Sequence, residues 1–98
     1  MKSISVALGP KFPLGNVYIT PGAHEALQAA SQSFEVMLYR HQSGDWGDLG
    51  DEDKLSNEQA LYEDTRILSA YHTAKGTKLW VITEADRSST TILLPDEY

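Results

Sequence analysis

The chain has no cysteine, which excludes disulfides, thiolate metal sites and cysteine nucleophiles. It also has no apolar run close to the roughly 20 residues that span a bilayer, and residues 1 to 13 lack the long apolar segment of a secretory signal. We therefore expect a cytoplasmic protein without membrane contact, whose stability comes from the burial of apolar surface.

Clustered positive charge is missing as well. The chain has 8 Lys and Arg residues, and they are scattered along it rather than grouped. Proteins that bind a phosphate backbone use groups of such residues to displace counterions. Direct nucleic-acid binding is therefore not expected.

The composition that remains is typical of one globular domain. The 98 residues are 41% hydrophobic and 22% charged, which is enough apolar material for a single core and too little for two. We predict one domain over residues 1 to 98. Glycines and prolines make residues 1 to 13 a possible flexible lead-in, with a short strand considered at residues 4 to 8.

The last third of the chain predicts an antiparallel meander. Residues 66 to 73, 78 to 83 and 90 to 94 are three apolar stretches separated by polar turns. The first turn contains Gly76, at a position where a positive φ is expected, and Pro95 ends the third strand. Neither face of this sheet is purely polar, so its uncovered face is a candidate dimer contact.

The first half of the chain predicts a short strand and then helices. Residues 16 to 20 alternate in polarity as a strand does, and Thr20 and Ser33 precede two helical patterns as N-caps. Gly44 is a natural stop for the second helix, and Asp51 is a candidate cap for a third that runs to about residue 63. The predicted fold class is α+β: a short N-terminal strand, two or three helices, and a three-stranded antiparallel meander with the helices packed on one face. The predicted core consists of Val17, Ile19, Leu27, Phe34, Leu38, Trp46, Leu49, Leu68, Trp80, Ile82 and Leu93.

Acidic residues are concentrated in the middle of the chain. Residues 45 to 64 hold eight acids against the single cation Lys54, whereas the rest of the chain is close to neutral within a total charge of −6. Carboxylates displayed on a rigid helix and loop can imitate the phosphates of nucleic acid and enter a basic groove. The competing interpretation is a solvated acidic face that keeps the protein soluble.

Several blocks of sequence also carry a family likeness. They are residues 20 to 23, 40 to 41, 44 to 49, 66 to 71 and 79 to 88. With these blocks the chain resembles, over roughly residues 13 to 98, a family of small uncharacterised proteins encoded on plasmids and integrative elements. The resemblance implies a mobile-element setting and supplies no catalytic residue.

These observations together predict a non-enzymatic binding or accessory protein of a mobile element. It would use its acidic surface to engage a basic protein partner, such as a host nucleic-acid-handling or defence protein, as an anti-CRISPR or anti-restriction decoy. No cofactor and no metal are expected. The predicted contact residues are Asp45, Asp48, Asp51, Glu52, Asp53 and Glu58.

A small metal-independent ribonuclease is the alternative function. Helices followed by an antiparallel sheet are the layout of barnase-like and RelE-like nucleases, and a histidine with an arginine can supply acid-base and electrostatic catalysis. The competing interpretation places the cationic His41 at a helix C-terminus and His72 half-exposed on a strand. The candidate nuclease residues are Arg40, His41, Arg66, Tyr71, His72 and Thr90.

A calcium site is a further alternative for the acidic segment. Asp45, Asp48, Asp51 and Asp53 offer carboxylate oxygens, which calcium prefers, but their spacing does not match the EF-hand pattern. Helix capping and solvation are the competing uses of these side chains.

Overall fold

The computed structural model describes residues 9 to 98, so the strand considered at residues 4 to 8 lies outside the described residues. The described chain forms three helices and four strands. In chain order they are β1 (Asn16–Ile19), α1 (Pro21–Ala29), α2 (Phe34–Gln42), α3 (Asp51–Glu63), β2 (Ile67–His72), β3 (Lys78–Thr83) and β4 (Ser89–Leu93), followed by a 3-10 turn at Pro95–Glu97.

Local signals explain where the helices begin. The Thr20 hydroxyl accepts a hydrogen bond from Ala23 N at 3.2 Å, and the Ser33 hydroxyl accepts one from Glu35 N at 3.2 Å, which confirms both predicted caps. For α3 the prediction was wrong by one residue, because Gly50 is the N-cap and Asp51 is the first helical residue. Asp51 is therefore not the cap, and its negative charge stabilises the helix by lying at the positive end of the helix dipole.

The predicted meander is part of a larger sheet. Strands β2, β3 and β4 pair antiparallel as expected, but β1 adds to β4 in parallel, with Val17 opposite Thr90. The sheet is thus mixed and four-stranded, in the order β1-β4-β3-β2. The parallel pair is possible because the three helices form the long crossover that joins β1 to the rest of the sheet.

Two apolar clusters form the core. Helices α1 and α2 cover one face of the sheet, where Leu27 and Met37 pack with Val81 and Ile92. The second cluster lies beneath α3 and consists of Phe12, Trp46, Ala60 and Ile67. Phe12 belongs to the segment considered a flexible lead-in, yet it is buried, and the neighbouring Lys11 N donates to Gln42 O at 2.8 Å.

The predicted core contains two errors. Val17 and Phe34 are exposed by 38% and 37%, because β1 lies at the edge of the sheet and Phe34 is the first residue of α2. The other nine residues are buried or partly buried. Their burial follows from the alternation of side chains along the strands and from the helical spacing of the apolar residues.

The outer edge of β2 is closed by side-chain and loop contacts. Asn57 donates through Nδ2 to Leu68 O at 2.7 Å and accepts through Oδ1 from Leu68 N at 3.1 Å. Further along the same edge, Ala70 N donates to Trp46 O at 3.1 Å and Ala70 O accepts from Asp48 N at 2.7 Å. A single amide therefore takes the place of a neighbouring strand at Leu68.

Removal of this amide should destabilise the domain. Asn57→Ala leaves both backbone groups of Leu68 without partners beneath α3, so we expect the free energy of unfolding to fall by about 3 kcal/mol. Urea unfolding followed by circular dichroism measures this loss. Gln59→Ala is the matched control on the exposed side of α3, and it should change the stability by less than about 0.5 kcal/mol. Equal stability of the two variants would contradict the role of Asn57.

Candidate functional site

An open pocket lies between α3 and the face of the sheet that α1 and α2 leave uncovered. Its volume is about 530 Å³, within the range of ligand-binding clefts. The side wall comes from α3 and the loop before it, and the floor comes from β3, β2 and the residue before β2. The lining residues are Asp48, Leu49, Gly50, Asp53, Ser56, Asn57, Arg66, Leu68, Lys78 and Trp80.

The loop before α3, which forms part of the side wall, is held in place by the sheet and by α3. Gly47 forms an isolated bridge with Ala70 of β2 and has a φ of +77°, a conformation that favours glycine. The buried Trp46 next to it donates through Nε1 to Glu58 Oε2 at 2.8 Å, which ties the loop to α3. The wall is therefore preorganised by contacts on both sides.

Three of the six predicted contact residues are engaged within the protein. Asp45 forms an ion pair with Arg40, with Nε and Oδ2 2.7 Å apart, and Asp48 Oδ2 lies 2.7 Å from His72 Nδ1. Glu58 accepts the hydrogen bond from Trp46. The hydrogen bond from Arg40 lowers the pKa of Asp45 below its ordinary value. Asp45 and Glu58 thus have internal partners, and Asp48 is shared between His72 and the pocket.

The other three acids remain available to a partner. Asp51, Glu52 and Asp53 form the exposed first turn of α3, and in the described part of the chain none of them lies within an ion-pair distance of a cation. Their charges are favourable there because they face the positive end of the helix dipole. Asp53 also lines the pocket, so this turn and the pocket form one continuous surface.

Trp80 is the aromatic part of the pocket floor. It lies on β3 between Lys78 and Ile82, on the face opposite to α1 and α2, and is partly exposed. Tyr98 meets its ring edge-on, with centroids 6.0 Å apart, and the Arg66 guanidinium lies 5.2 Å from the Tyr98 centroid. The segment after β4 therefore crosses the open face next to the pocket.

A carboxylate anchors this last segment to α1. Glu97 Oε1 accepts from Thr20 Oγ1 at 2.6 Å and from Leu94 N at 2.8 Å. The hydrogen bond from Thr20 lowers the pKa of Glu97 below its ordinary value. Tyr98 follows directly, so its place beside Trp80 is set by the start of α1.

The groove has different charges at its two ends. Lys78 pairs with His72 in the sheet, and Asp48 contacts His72, so these three residues share one end. Arg66 directly precedes β2 and is six residues before His72 along the extended chain, so the two Cα atoms are about 20 Å apart. Asp53 is one helical turn before Asn57 and so lies between the ends. The described acids of the pocket lining, Asp48 and Asp53, are thus matched by two lining cations, Lys78 and Arg66.

The candidate nuclease residues do not form one accessible site. His41 is completely buried, with Nδ1 2.6 Å from Ser69 Oγ and Nε2 2.9 Å from Thr83 Oγ1. Thr83 Oγ1 lies 2.7 Å from Thr90 Oγ1, which donates to Leu14 O at 2.8 Å. His41 and Thr90 therefore do converge, but in a sealed chain of hydrogen bonds beneath the helices.

Each hydroxyl group has one proton to donate, and this fixes which group donates in each of these hydrogen bonds. Thr90 uses its hydroxyl proton on Leu14 O, so Thr83 must donate to Thr90. His41 Nε2 must then carry the proton and donate to Thr83, while Nδ1 accepts from Ser69. The imidazole is neutral, because burial lowers the pKa of His41 to about 3. The interpretation of His41 as a cation at a helix end was therefore wrong.

The other nuclease candidates lie in separate parts of the structure and do not join His41. Tyr71 is buried, its hydroxyl donates to Asp45 O at 2.6 Å, and burial raises its pKa to about 12. The Arg40 guanidinium lies 4.4 Å from the Tyr71 ring centroid and pairs with Asp45. Arg66 is on the opposite face of the sheet from His41, and His72 is half-exposed, as its alternative interpretation predicted.

The calcium alternative finds no arrangement that fits it. Among residues 9 to 98, no three His, Asp or Glu side chains are grouped so that they could hold a metal ion. Asp45 and Asp48 face Arg40 and His72 instead.

Sequence reasoning missed the role of Arg87. In the turn between β3 and β4, Arg87 donates through Nη2 to Ala60 O and through Nη1 to Thr65 O, both at 2.7 Å. It therefore satisfies one carbonyl in the last turn of α3 and one just after the helix. Asp86 accepts from Ser88 N at 3.0 Å. The sequence signal that was available is the lack of any basic residue in the last turn of α3 itself.

Comparison with known proteins returned no match: no protein-family model, no curated protein and no solved structure matches this chain. The resemblance to mobile-element proteins stays a prediction. Within the described range, no helix has the length and apolar character needed to cross a membrane.

Proposed function

We propose that the protein is a non-enzymatic binding protein that engages a basic protein partner through the first turn of α3 and the pocket beside it. The observation that carries this proposal is the continuity of the two features. Asp51, Glu52 and Asp53 are exposed and unpaired among the described residues, and Asp53 belongs to an open cleft floored by Trp80. Charge attraction and a surface for insertion are thus found together.

The proposed contact surface is smaller than the one expected from sequence. Asp45 and Glu58 are occupied by Arg40 and Trp46, so they support the loop and do not face a partner freely. Trp80 joins the surface instead. The burial of His41 supports a binding role over the ribonuclease, because a general base has to reach its substrate.

The biological setting is part of the same proposal. A cytoplasmic accessory protein of a mobile element would gain from occupying the basic groove of a host nucleic-acid-handling or defence protein. The exposed acids would then compete with nucleic acid for that groove.

Neutralisation of the acidic turn tests the proposal. The variant Asp51→Asn/Glu52→Gln/Asp53→Asn removes three charges from the surface, and we expect it to bind a ten-residue lysine peptide about tenfold more weakly. Isothermal titration calorimetry at low and at physiological salt measures the change, and salt should weaken the binding of both proteins.

A second triple variant separates position from total charge. Glu25→Gln/Glu63→Gln/Asp64→Asn removes the same number of charges from exposed positions outside the pocket, and asparagine suits the left-handed conformation that Asp64 adopts. Its affinity for the peptide should stay within about twofold of the parent protein. An equal loss in both variants would show that overall charge, and not this surface, attracts the partner.

A further inference from the structure

We infer that the pocket receives an arginine side chain of the partner, with the guanidinium against Trp80 and Asp53. The inference rests on the proposed function and adds the chemistry of the anchoring residue. A merely basic partner would need only the exposed turn. The pocket offers features that distinguish arginine from lysine.

The first feature is an aromatic surface and a carboxylate in one pocket. Trp80 and Asp53 line the same pocket from the floor and from the wall. A planar guanidinium can stack on an indole and donate two parallel hydrogen bonds to a carboxylate, whereas an ammonium group can do neither as well. Tryptophan is also the most favourable aromatic residue for a cation.

The second feature is the distribution of charge around Trp80. Arg66 also lines the pocket, and its guanidinium is held against the ring of Tyr98, which in turn meets Trp80 edge-on. Lys78 pairs with His72 in the sheet, His72 contacts Asp48, and Asp53 lines the same pocket as Lys78. Asp48 and Asp53 thus balance Lys78 and Arg66 within the lining, and the exposed Asp51 and Glu52 of the adjoining turn give this surface its excess of negative charge.

The third feature is the volume and composition of the cleft. A volume of about 530 Å³ is ample for one long side chain and its attached backbone. Leu49 and Leu68 line it with Trp80, and they offer apolar contact to the methylene stem of an arginine. The acidic turn next to the opening remains free for neighbouring basic residues of the partner.

Three short peptides test the inference. They have the sequence Lys-Ser-X-Ser-Lys with blocked ends, where X is arginine, lysine or the neutral arginine analogue citrulline. We expect the arginine peptide to bind about threefold more tightly than the lysine peptide of equal charge, and about tenfold more tightly than the citrulline peptide. Nuclear magnetic resonance titration of the ¹⁵N-labelled protein measures all three affinities.

The two tryptophans give this titration an internal control. The indole N–H of Trp80 should shift during the titration, whereas that of Trp46 is buried and bonded to Glu58 and should not. Trp80→Leu and Asp53→Asn should each abolish the preference for arginine. Glu63→Gln, on the same helix, should leave it intact. Asp53 is exposed, so its variant keeps the test valid if Trp80→Leu fails to fold.

The outcomes distinguish this inference from the proposed function. Equal binding of the arginine and lysine peptides, with no shift of the Trp80 indole, would overturn the arginine pocket while the acidic binding surface stands. Absence of binding by all three peptides would overturn both. A preference for arginine that survives Trp80→Leu and Asp53→Asn would place the arginine elsewhere and would also overturn the inference.

Discussion

A Gly47→Ala protein is expected to lose the native fold, with a loss of stability of more than about 4 kcal/mol. The added methyl group would overlap the carbonyl oxygen of Ala70 and lie 2.6 Å from Tyr71 Cδ1. The φ of +77° adds strain for any residue with a side chain. Relief would require the loop to leave β2, and the contacts of Trp46 and Asp48 with Ala70 would then be lost.

Gly76→Ala is the matched control for this prediction. Gly76 has a φ of +85°, but no heavy atom lies within 4 Å of the position that its Cβ would take. Only backbone strain is added, so we expect a loss of about 1 kcal/mol. Urea unfolding of both variants measures the difference. Similar losses at the two positions would mean that the close approach of Gly47 to β2 does not hold the loop.

Acid is expected to destabilise the domain through His41. Its pKa is about 3 in the folded protein and about 6.5 when the chain is unfolded, so the unfolded state binds more protons between these values. The stabilisation is fully present above about pH 6.5 and is lost as the pH falls towards 3. We expect a loss of about 2 kcal/mol at pH 5 and about 4 kcal/mol at pH 3.

Urea unfolding between pH 7 and pH 5 isolates this contribution. The carboxyl groups with shifted values, Asp45, Asp86 and Glu97, have a lowered pKa and titrate below this range. His41→Gln should flatten the dependence of stability on pH, whereas His24→Gln, which removes an exposed histidine, should leave it unchanged. A parent protein whose stability does not change from pH 7 to pH 5 would contradict the neutral buried imidazole.

The starts of α1 and α2 and the three strands of the meander could be predicted because their signals are local. Thr20 and Ser33 cap helices through atoms only two or three residues away. The polar turns between the strands bring β2, β3 and β4 together as neighbours in the chain. Short sequence separations leave few alternatives for such contacts.

The contacts that define the candidate site join distant residues. The position of β1 beside β4 depends on the crossover of all three helices. The pairing of Asp48 with His72 spans 24 residues, so the sequence shows the acidic run but not which of its members are already occupied. The pocket arises between α3 and a sheet face, and neither element reveals it alone.

His41 shows why a position near the end of a helix does not fix the charge of a histidine. Its spacing on α2 places it on the same face as Met37 and Leu38, and that face is buried. A cation was nevertheless inferred at the helix end, because Ser69, Thr83 and Thr90 were not known to converge beneath it. Hydroxyl groups on separate strands satisfy the neutral ring there.

The amide of Asn57 has a consequence for self-association. An edge strand normally invites another chain to continue the sheet, and this continuation is the first step of many aggregation reactions. At Leu68 and Ala70 the polar backbone groups that would template it are already used by α3 and its loop. A second copy could extend the sheet past β2 only by first displacing the wall of the proposed binding pocket, so polymerisation along this edge and partner binding exclude one another.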